Sequence, residues 1–267
     1  MTSRTLSDIF RQSLNLVLAP GMWILSSIGF IMEGARTPAE FSDSSANWLV
    51  PLGPAFSIWF PIFVLCLAYG VVQALPKNGP RAVFRDVGWW TAGGFFFICG
   101  WSLITAFAPE ALVQWGTALV FIPAVACLIR ATIIMTRHVN SVTAAERLAT
   151  YWPISLIAGW CSLAVFLNWT PIAYDVFAGG EANLLSSLLI LAAALGLIIW
   201  VCRVAQCNKV YVLPAVWGLA WLAARHLLGT PEVPAIGWAA AVGILLLIAS
   251  ALAYPRVPIS GYDRVPG

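Results

Sequence analysis

Charged side chains are scarce in this sequence, and their scarcity excludes a soluble globular fold. Asp, Glu, Lys and Arg make up 9% of the 267 residues, whereas hydrophobic residues make up 61%. Soluble domains carry about 25% charged residues, because their surface must interact with water. A fold built from this chain would expose an apolar surface, so its solvent must be lipid.

The groups that transport or catalytic sites need are also missing. No Asp, Glu, Lys or Arg lies near the centre of any predicted span, which disfavours ion-coupled transport. No metalloprotease, nucleophile-elbow or phosphate-loop motif occurs, so we predict no catalytic residue and no enzyme. The 2 histidines and 6 cysteines, without a CxxC pair, predict no metal site, and a net charge of +3 spread over short loops predicts no nucleic-acid surface.

What the chain does contain is a series of uncharged segments long enough to cross a bilayer. About 20 helical residues span the hydrocarbon core. The seventh segment is short, and the Lys209 and Arg225 side chains at its ends extend its reach. The eight predicted spans are Gln12–Met32, a stretch containing Ala55–Leu75, Val87–Phe107, Ala111–Ile129, Ala149–Tyr174, Ala182–Cys202, Val210–Ala224 and Val233–Pro255.

Basic residues test this count independently. Successive segments outside the spans alternate between more and fewer Lys and Arg, with 12 on one side and 2 on the other. The positive-inside rule then predicts that both termini are cytoplasmic, in an integral protein of the cell (inner) membrane. The first loop on the opposite side, residues 34–54, has an apolar second half. We predict that it folds back on the bundle as a lid.

Tryptophan is unusually abundant, with 14 residues. Some of these rings suit the membrane interface, where Trp commonly anchors a helix. Others, such as Trp101 and Trp160, fall deep within predicted spans. Large planar rings inside a bundle can line an apolar pocket for a flat ligand. Composition alone leaves both interpretations open.

Two stretches carry a family pattern. The first is Trp48-Leu-Val-Pro-Leu-Gly-Pro-Ala-Phe-Ser-Ile-Trp59, and the second is Trp160-Cys-Ser-Leu-Ala-Val-Phe-Leu-Asn168. Together they resemble the tryptophan-rich sensory protein/translocator protein family over roughly residues 14–175. The chain departs from the family pattern at three positions: Phe63 replaces a Tyr, Ile98 replaces an Asn, and Pro153 lies seven residues before Trp160 instead of four.

The resemblance implies an all-α, polytopic helical membrane protein. By this resemblance residues 1–178 would form a five-helix translocator-like bundle. The last three predicted spans have no counterpart in the short family members; residues 179–267 would therefore add three C-terminal transmembrane helices and a short cytoplasmic tail, packed with the bundle as one membrane domain. Family members bind tetrapyrroles, and in some cases sterols, in a pocket that the first loop closes. By this resemblance and the associated aromatic positions, the ligand-binding residues would be Trp48, Trp59, Phe63, Trp101, Trp115, Ala118, Ile122, Trp160, Ala164 and Leu167.

These observations predict a sensory or regulatory binding protein for a flat apolar ligand, either a tetrapyrrole (porphyrin) or a sterol-like molecule. No cofactor is required beyond such a bound tetrapyrrole, and the expected partners are membrane lipids, the small ligand and a second copy in a homodimer. Arg36 would pair with acidic groups of the ligand, Asn168 would hydrogen-bond between helices, and His226 would be a satisfied interfacial histidine rather than a metal ligand. The alternatives are a passive carrier of lipids or pigment precursors and an accessory subunit of a larger membrane complex.

Overall fold

The computed structural model describes residues 3–43, 47–228 and 233–252, and its regular elements in these ranges are all helical. A 3₁₀ segment, Gly53–Ile58, leads into the third helix. The C-terminal tail lies outside the described residues. The helices are α1 (Leu6–Ser26), α2 (Pro38–Asp43), α3 (Trp59–Ala74), α4 (Ala82–Phe107), α5 (Glu110–Arg137), α6 (Ala144–Ala149), α7 (Tyr151–Ala178), α8 (Leu184–Val204), α9 (Lys209–Leu227) and α10 (Pro234–Leu252).

Seven helical stretches in the described ranges, those that contain α3, α4, α5, α7, α8, α9 and α10, are long and apolar enough to cross a membrane. The chain therefore has the predicted all-α polytopic membrane fold. The remaining long helix, α1, has 21 residues, a length of about 31 Å. Its first half is more polar than the other spans, so the eighth crossing stays a prediction.

The predicted bounds of the first span, Gln12–Met32, are wrong. Helix α1 starts six residues earlier because Thr5 caps it: the Thr5 Oγ1 accepts from the Asp8 amide at 3.2 Å, and Asp8 accepts in return from the Thr5 amide at 2.9 Å. Asp8 and Arg11 are both buried inside the bundle. The Arg11 guanidinium donates to the Phe84 carbonyl at 2.7 Å, which satisfies the buried charge. The helix ends at Ser26, and a short 3₁₀ turn follows.

Five long helices close into a ring. Helix α1 packs against α3 and α4, α4 packs against α5, α5 packs against α7, and α7 contacts α3 to complete the circle. Helices α8 and α9 pack on the outer side of α7, and α10 packs against both of them. The three C-terminal helices therefore extend the bundle along one wall, which is α7.

The contact between α7 and α9 is very close. A methyl group on Gly159 would lie 1.9 Å from the Tyr211 carbonyl oxygen, so only a residue without a side chain fits there. Gly218 on α9 likewise faces Leu163 on α7. Small residues at such contacts let membrane helices approach backbone to backbone, where dispersion attraction is strongest. This packing fixes α9, and with it the part of the first loop that α9 contacts.

Candidate ligand-binding site

A cavity of about 250 Å³ lies between α3, α4, α5 and α7, beneath the first loop. The loop parts that cover it, residues 37–43 and 47–58, are called the lid segment below, and the end of the bundle where they pack is called the lid end. One side of the cavity is formed on α7, by residues that include Ala164, Leu167, Asn168 and Pro171. Seven aromatic residues line the cavity: Phe41, Phe56, Trp59, Trp101, Phe121, Trp160 and Tyr174.

The aromatic walls hold one another in place. The Trp59 ring stacks on Phe63, with centroids 5.1 Å apart and planes at 17°. Trp59 also packs edge-to-face against Trp160, with ring centroids 6.1 Å apart and an interplanar angle of 82°. Phe56 packs edge-to-face against Trp160 at the same centroid distance, with an interplanar angle of 84°. Edge-to-face and offset arrangements are the favoured geometries of aromatic pairs. The walls are therefore pre-arranged and need little reorganisation when a flat molecule enters.

Asn168 joins α7 to α4, as the sequence predicted. Its Oδ1 accepts from the Trp101 Nε1 at 2.9 Å, and its Nδ2 donates to the Ala164 carbonyl at 2.9 Å. The side chain is almost fully buried, so leaving the indole N–H without this partner would be costly. The bond fixes the Trp101 ring as a wall of the cavity.

The lid segment begins with its own short helix, α2. Thr37 caps this helix: its Oγ1 accepts from the Glu40 amide at 3.1 Å, and the Glu40 carboxylate accepts from the Thr37 amide at 2.7 Å and from the Thr37 hydroxyl at 3.0 Å. These two donors lower the pKa of Glu40 below its ordinary value. The cap holds α2 in place, and α2 contributes Phe41 and Pro38 to the cavity lining.

Helix α9 holds the second half of the lid segment. The Trp217 Nε1 donates to the Ala55 carbonyl at 2.9 Å, and the Arg225 guanidinium donates to the carbonyls of Asn47 and Val50 at 3.2 and 2.8 Å. Leu49 and Val50 are buried, which confirms that the apolar half of the loop folds back on the bundle. All of these acceptors are backbone oxygens, so the attachment does not depend on lid side chains.

His226 adds a further bond and is not free to bind a metal. Its Nε2 lies 2.8 Å from the Trp48 carbonyl, and its Nδ1 accepts from the Val233 amide at 3.3 Å. Since a carbonyl cannot donate, the Nε2 carries the proton. Both ring nitrogens are engaged, so the structure confirms a satisfied histidine. Within the described ranges, no group of three His, Cys, Asp or Glu side chains could hold a metal ion.

Five of the predicted ligand-binding residues line the cavity together: Trp59, Trp101, Trp160, Ala164 and Leu167. The other five do not line it. Phe63 lies behind Trp59 and stacks on it. Trp48 belongs to the lid segment and accepts from His226 through its carbonyl.

The three predicted positions on α5 lie on other faces of that helix. Trp115 and Ile122 are about half exposed, and Trp115 packs on Trp169 outside the cavity. Ala118 is fully buried but is not part of the lining. The residues of α5 that do line the cavity are Glu110, Val113, Gln114 and Phe121. The sequence analysis missed this face; the polar pair Glu110 and Gln114, one helical turn apart, is the pattern that could have indicated it.

The prediction that Arg36 pairs with a ligand is not supported, because Arg36 has other partners. Its Nε donates to the Thr105 carbonyl at 3.0 Å, and a second nitrogen donates to the Ala108 carbonyl. Cations are stabilised beside the unpaired carbonyls at a helix C-terminus, which is where these two lie on α4. The same guanidinium lies 3.5 Å from the exposed Glu110 carboxylate. Arg36 does not line the cavity.

The fold and the cavity define a class: a polytopic helical membrane protein with an aromatic cavity under a folded loop. Comparison with known families agrees, since residues 12–253 match the model of the TSPO-like protein family. The chain belongs to this family. The match includes α8, α9 and α10, so the three C-terminal helices are part of the family region. Neither the curated proteins nor the solved structures compared with the chain give a match.

Proposed function

We propose that the protein is a membrane binding protein for a flat, mainly apolar ligand, with a sensory or regulatory role, and that the ligand occupies the cavity under the lid segment. The observation that carries the proposal is the cavity itself: aromatic walls from α3, α4, α5 and α7 meet around empty space of about 250 Å³. Planar aromatic surfaces favour flat ligands, because stacking and apolar burial add together.

The size of the cavity limits what fits while the lid segment is in place. Sites for drug-sized ligands are usually about 300–1,000 Å³. A cavity slightly below that range suits a ligand of two or three fused rings. A tetrapyrrole or a sterol-like molecule, as the family resemblance implies, would require the lid segment to move away. We therefore expect small flat molecules to bind more rapidly than protoporphyrin.

Ala164 offers a direct test of the site. It lines the cavity on α7 between the larger side chains of Trp160 and Leu167, so Ala164→Phe would fill the space a ligand needs. Ala193 on α8 is exposed, so Ala193→Phe adds the same ring on the outer face as a matched control. The probe is 1-methylnaphthalene, a small flat hydrocarbon, titrated calorimetrically into purified protein in micelles with a protein-free micelle blank.

The proposal predicts saturable binding to the wild type and to Ala193→Phe. In Ala164→Phe the affinity should fall about 10- to 100-fold, the equivalent of losing the burial of one aromatic group. The proposed site is wrong if Ala164→Phe binds the probe as well as Ala193→Phe does. Absence of saturable binding to the wild type would remove the proposal altogether. A parallel titration with protoporphyrin tests whether the larger ligand class is accepted.

A further inference from the structure

The mouth of the cavity is acidic. Within the described residues, Glu110 at the start of α5 and Asp175 near the end of α7 are the charged side chains that line it. Both residues are exposed to the surroundings. The Gln114 Nε2 donates to the Asp175 Oδ2 at 3.3 Å, which connects the two helices beside the opening. A ligand that enters passes two negative charges.

Basic side chains nearby have other roles. Arg36 donates to the C-terminal carbonyls of α4, and its approach to Glu110 is a long, exposed ion pair of the kind that contributes little. Arg225 donates to the Asn47 and Val50 carbonyls of the lid segment. Neither arginine lines the cavity. The lining therefore presents no basic group to an acidic substituent.

The interior of the cavity suits a cation as well as an apolar ring. Trp59, Trp101 and Trp160 belong to its walls, and the faces of such rings carry negative electrostatic potential. A cation over an aromatic face is attracted by this potential, most strongly over Trp and where water is excluded. The Asn168 side-chain oxygen Oδ1, which accepts from the Trp101 Nε1, adds a further partial negative charge to the lining. The aromatic walls and the acidic mouth of the cavity thus both favour a positively charged ligand.

The side chains described at the lid end also carry an excess of negative charge. They include five acidic residues against two arginines, Arg36 and Arg225. An excess of one charge around a cleft raises the local concentration of oppositely charged ligands and speeds their association. The five acidic residues are Glu33, Glu40, Glu110, Asp175 and Glu181.

We propose that the ligand of this cavity is a flat aromatic organic cation, whose ring lies among Trp59 and Trp160 and whose positive charge faces Glu110 and Asp175. This inference rests on the proposed function, because it assigns a ligand class to the same cavity. It distinguishes that class from dicarboxylic tetrapyrroles, whose acidic groups would have to lie beside the two carboxylates. Like charges placed together at the mouth weaken binding.

Two probes of the same shape isolate the charge. N-methylquinolinium and 1-methylnaphthalene are both fused two-ring molecules with one methyl group, but only the first carries a positive charge; 1-naphthoate supplies the negative counterpart. Each is titrated into the wild type and into the double variant Glu110→Gln/Asp175→Asn. The control variant is Glu181→Gln, which removes an exposed acidic group at the same end but outside the lining.

The double variant should bind N-methylquinolinium about tenfold more weakly than the wild type does, because two attractive carboxylates are gone. Its affinity for 1-methylnaphthalene should change less than about twofold. Glu181→Gln removes one charge outside the lining, so it should weaken N-methylquinolinium binding by less than about twofold and leave 1-methylnaphthalene binding unchanged. Comparing one probe across variants cancels its partition into micelles. Retained binding of 1-methylnaphthalene shows that the double variant is folded.

Two results would overturn the inference: an unchanged N-methylquinolinium affinity in the double variant, or tighter binding of 1-naphthoate than of the cation by the wild type. Either result, with 1-methylnaphthalene still bound and still blocked by Ala164→Phe, leaves the cavity as the site and rejects only the charge preference. Loss of the Ala164→Phe effect would instead reject the proposed function.

Discussion

Replacing Trp217 with Phe tests whether α9 holds the lid segment closed. The Trp217 Nε1 donates to the carbonyl of Ala55, and Ala55 is fully buried. Phenylalanine keeps an aromatic ring beside Trp221 but removes the N–H group. A buried acceptor that loses its partner costs about 1–3 kcal/mol. If about 1–2 kcal/mol of this cost falls on the closed lid alone, the fraction of molecules with a detached lid rises about 5- to 30-fold.

Hydrogen exchange measured by mass spectrometry on the peptide covering residues 47–58 reports this change. Exchange in that peptide should be faster in Trp217→Phe by the same factor, whereas a peptide within α4 should exchange at the wild-type rate. The matched control is Trp221→Phe, because the Trp221 ring contacts Trp217 with centroids 5.6 Å apart. Equal exchange of residues 47–58 in the wild type and in both variants would refute the role assigned to α9.

Two further predictions concern the contacts that α7 makes with neighbouring helices. Gly159→Ala places a methyl group 1.9 Å from the Tyr211 carbonyl oxygen and should destabilise the protein by about 1–3 kcal/mol or more, whereas Gly196→Ala meets nothing within 4 Å and should stabilise its helix by about 1 kcal/mol. Thermal unfolding in micelles should shift in opposite directions, and parallel shifts would contradict the α7–α9 contact. Asn168→Leu leaves the Trp101 N–H without its partner and should cost about 1–3 kcal/mol. An unchanged unfolding midpoint and unchanged affinity for 1-methylnaphthalene would show that this bond is dispensable.

Much of the fold could be predicted because a bilayer requires backbone groups to be satisfied within a helix or a closed barrel. Uncharged runs of sufficient length therefore indicated helices directly, and α8, α9 and α10 match these runs closely. Helix α5 instead continues past the predicted end at Ile129 to Arg137, because charged residues can be accommodated within a helix that extends beyond the uncharged run. The start of the first helix was placed too late because Asp8 and Arg11 were treated as residues that precede it. Their burial depends on partners far along the chain, such as the Gly79 carbonyl, which accepts from Arg11 at 3.0 Å. Sequence spacing does not reveal such a contact.

The candidate site could be predicted only in part, for a different reason. Trp160, Ala164 and Leu167 on α7 and Trp115 and Ile122 on α5 share the same kind of helical spacing. Spacing shows that residues lie on one face, but it does not show which way the face points. In a membrane both the lipid and the bundle interior are apolar, so the usual contrast between a polar outside and an apolar inside is missing. The α7 face turned out to line the cavity, and the α5 face did not.

The attachment of the lid segment to α9 could not be predicted from the sequence either. The donors are side chains of Trp217, Arg225 and His226, but every acceptor is a backbone carbonyl of the lid segment. Because every residue has a backbone carbonyl, no sequence pattern marks the residues of the lid segment that accept these hydrogen bonds. Only the fold of α9 against α7 brings the two segments together.

The most direct test of the central claim is to locate a bound ligand by photo-crosslinking. A naphthalene bearing a small diazirine is bound to the wild-type protein, irradiated, and mapped by peptide mass spectrometry, with excess 1-methylnaphthalene as competitor. A ligand bound in the cavity should give competable adducts in the lid segment and on α7 between Trp160 and Asn168. Competable adducts confined to the Trp115–Ile122 face of α5, with the cavity residues unlabelled, would contradict this claim.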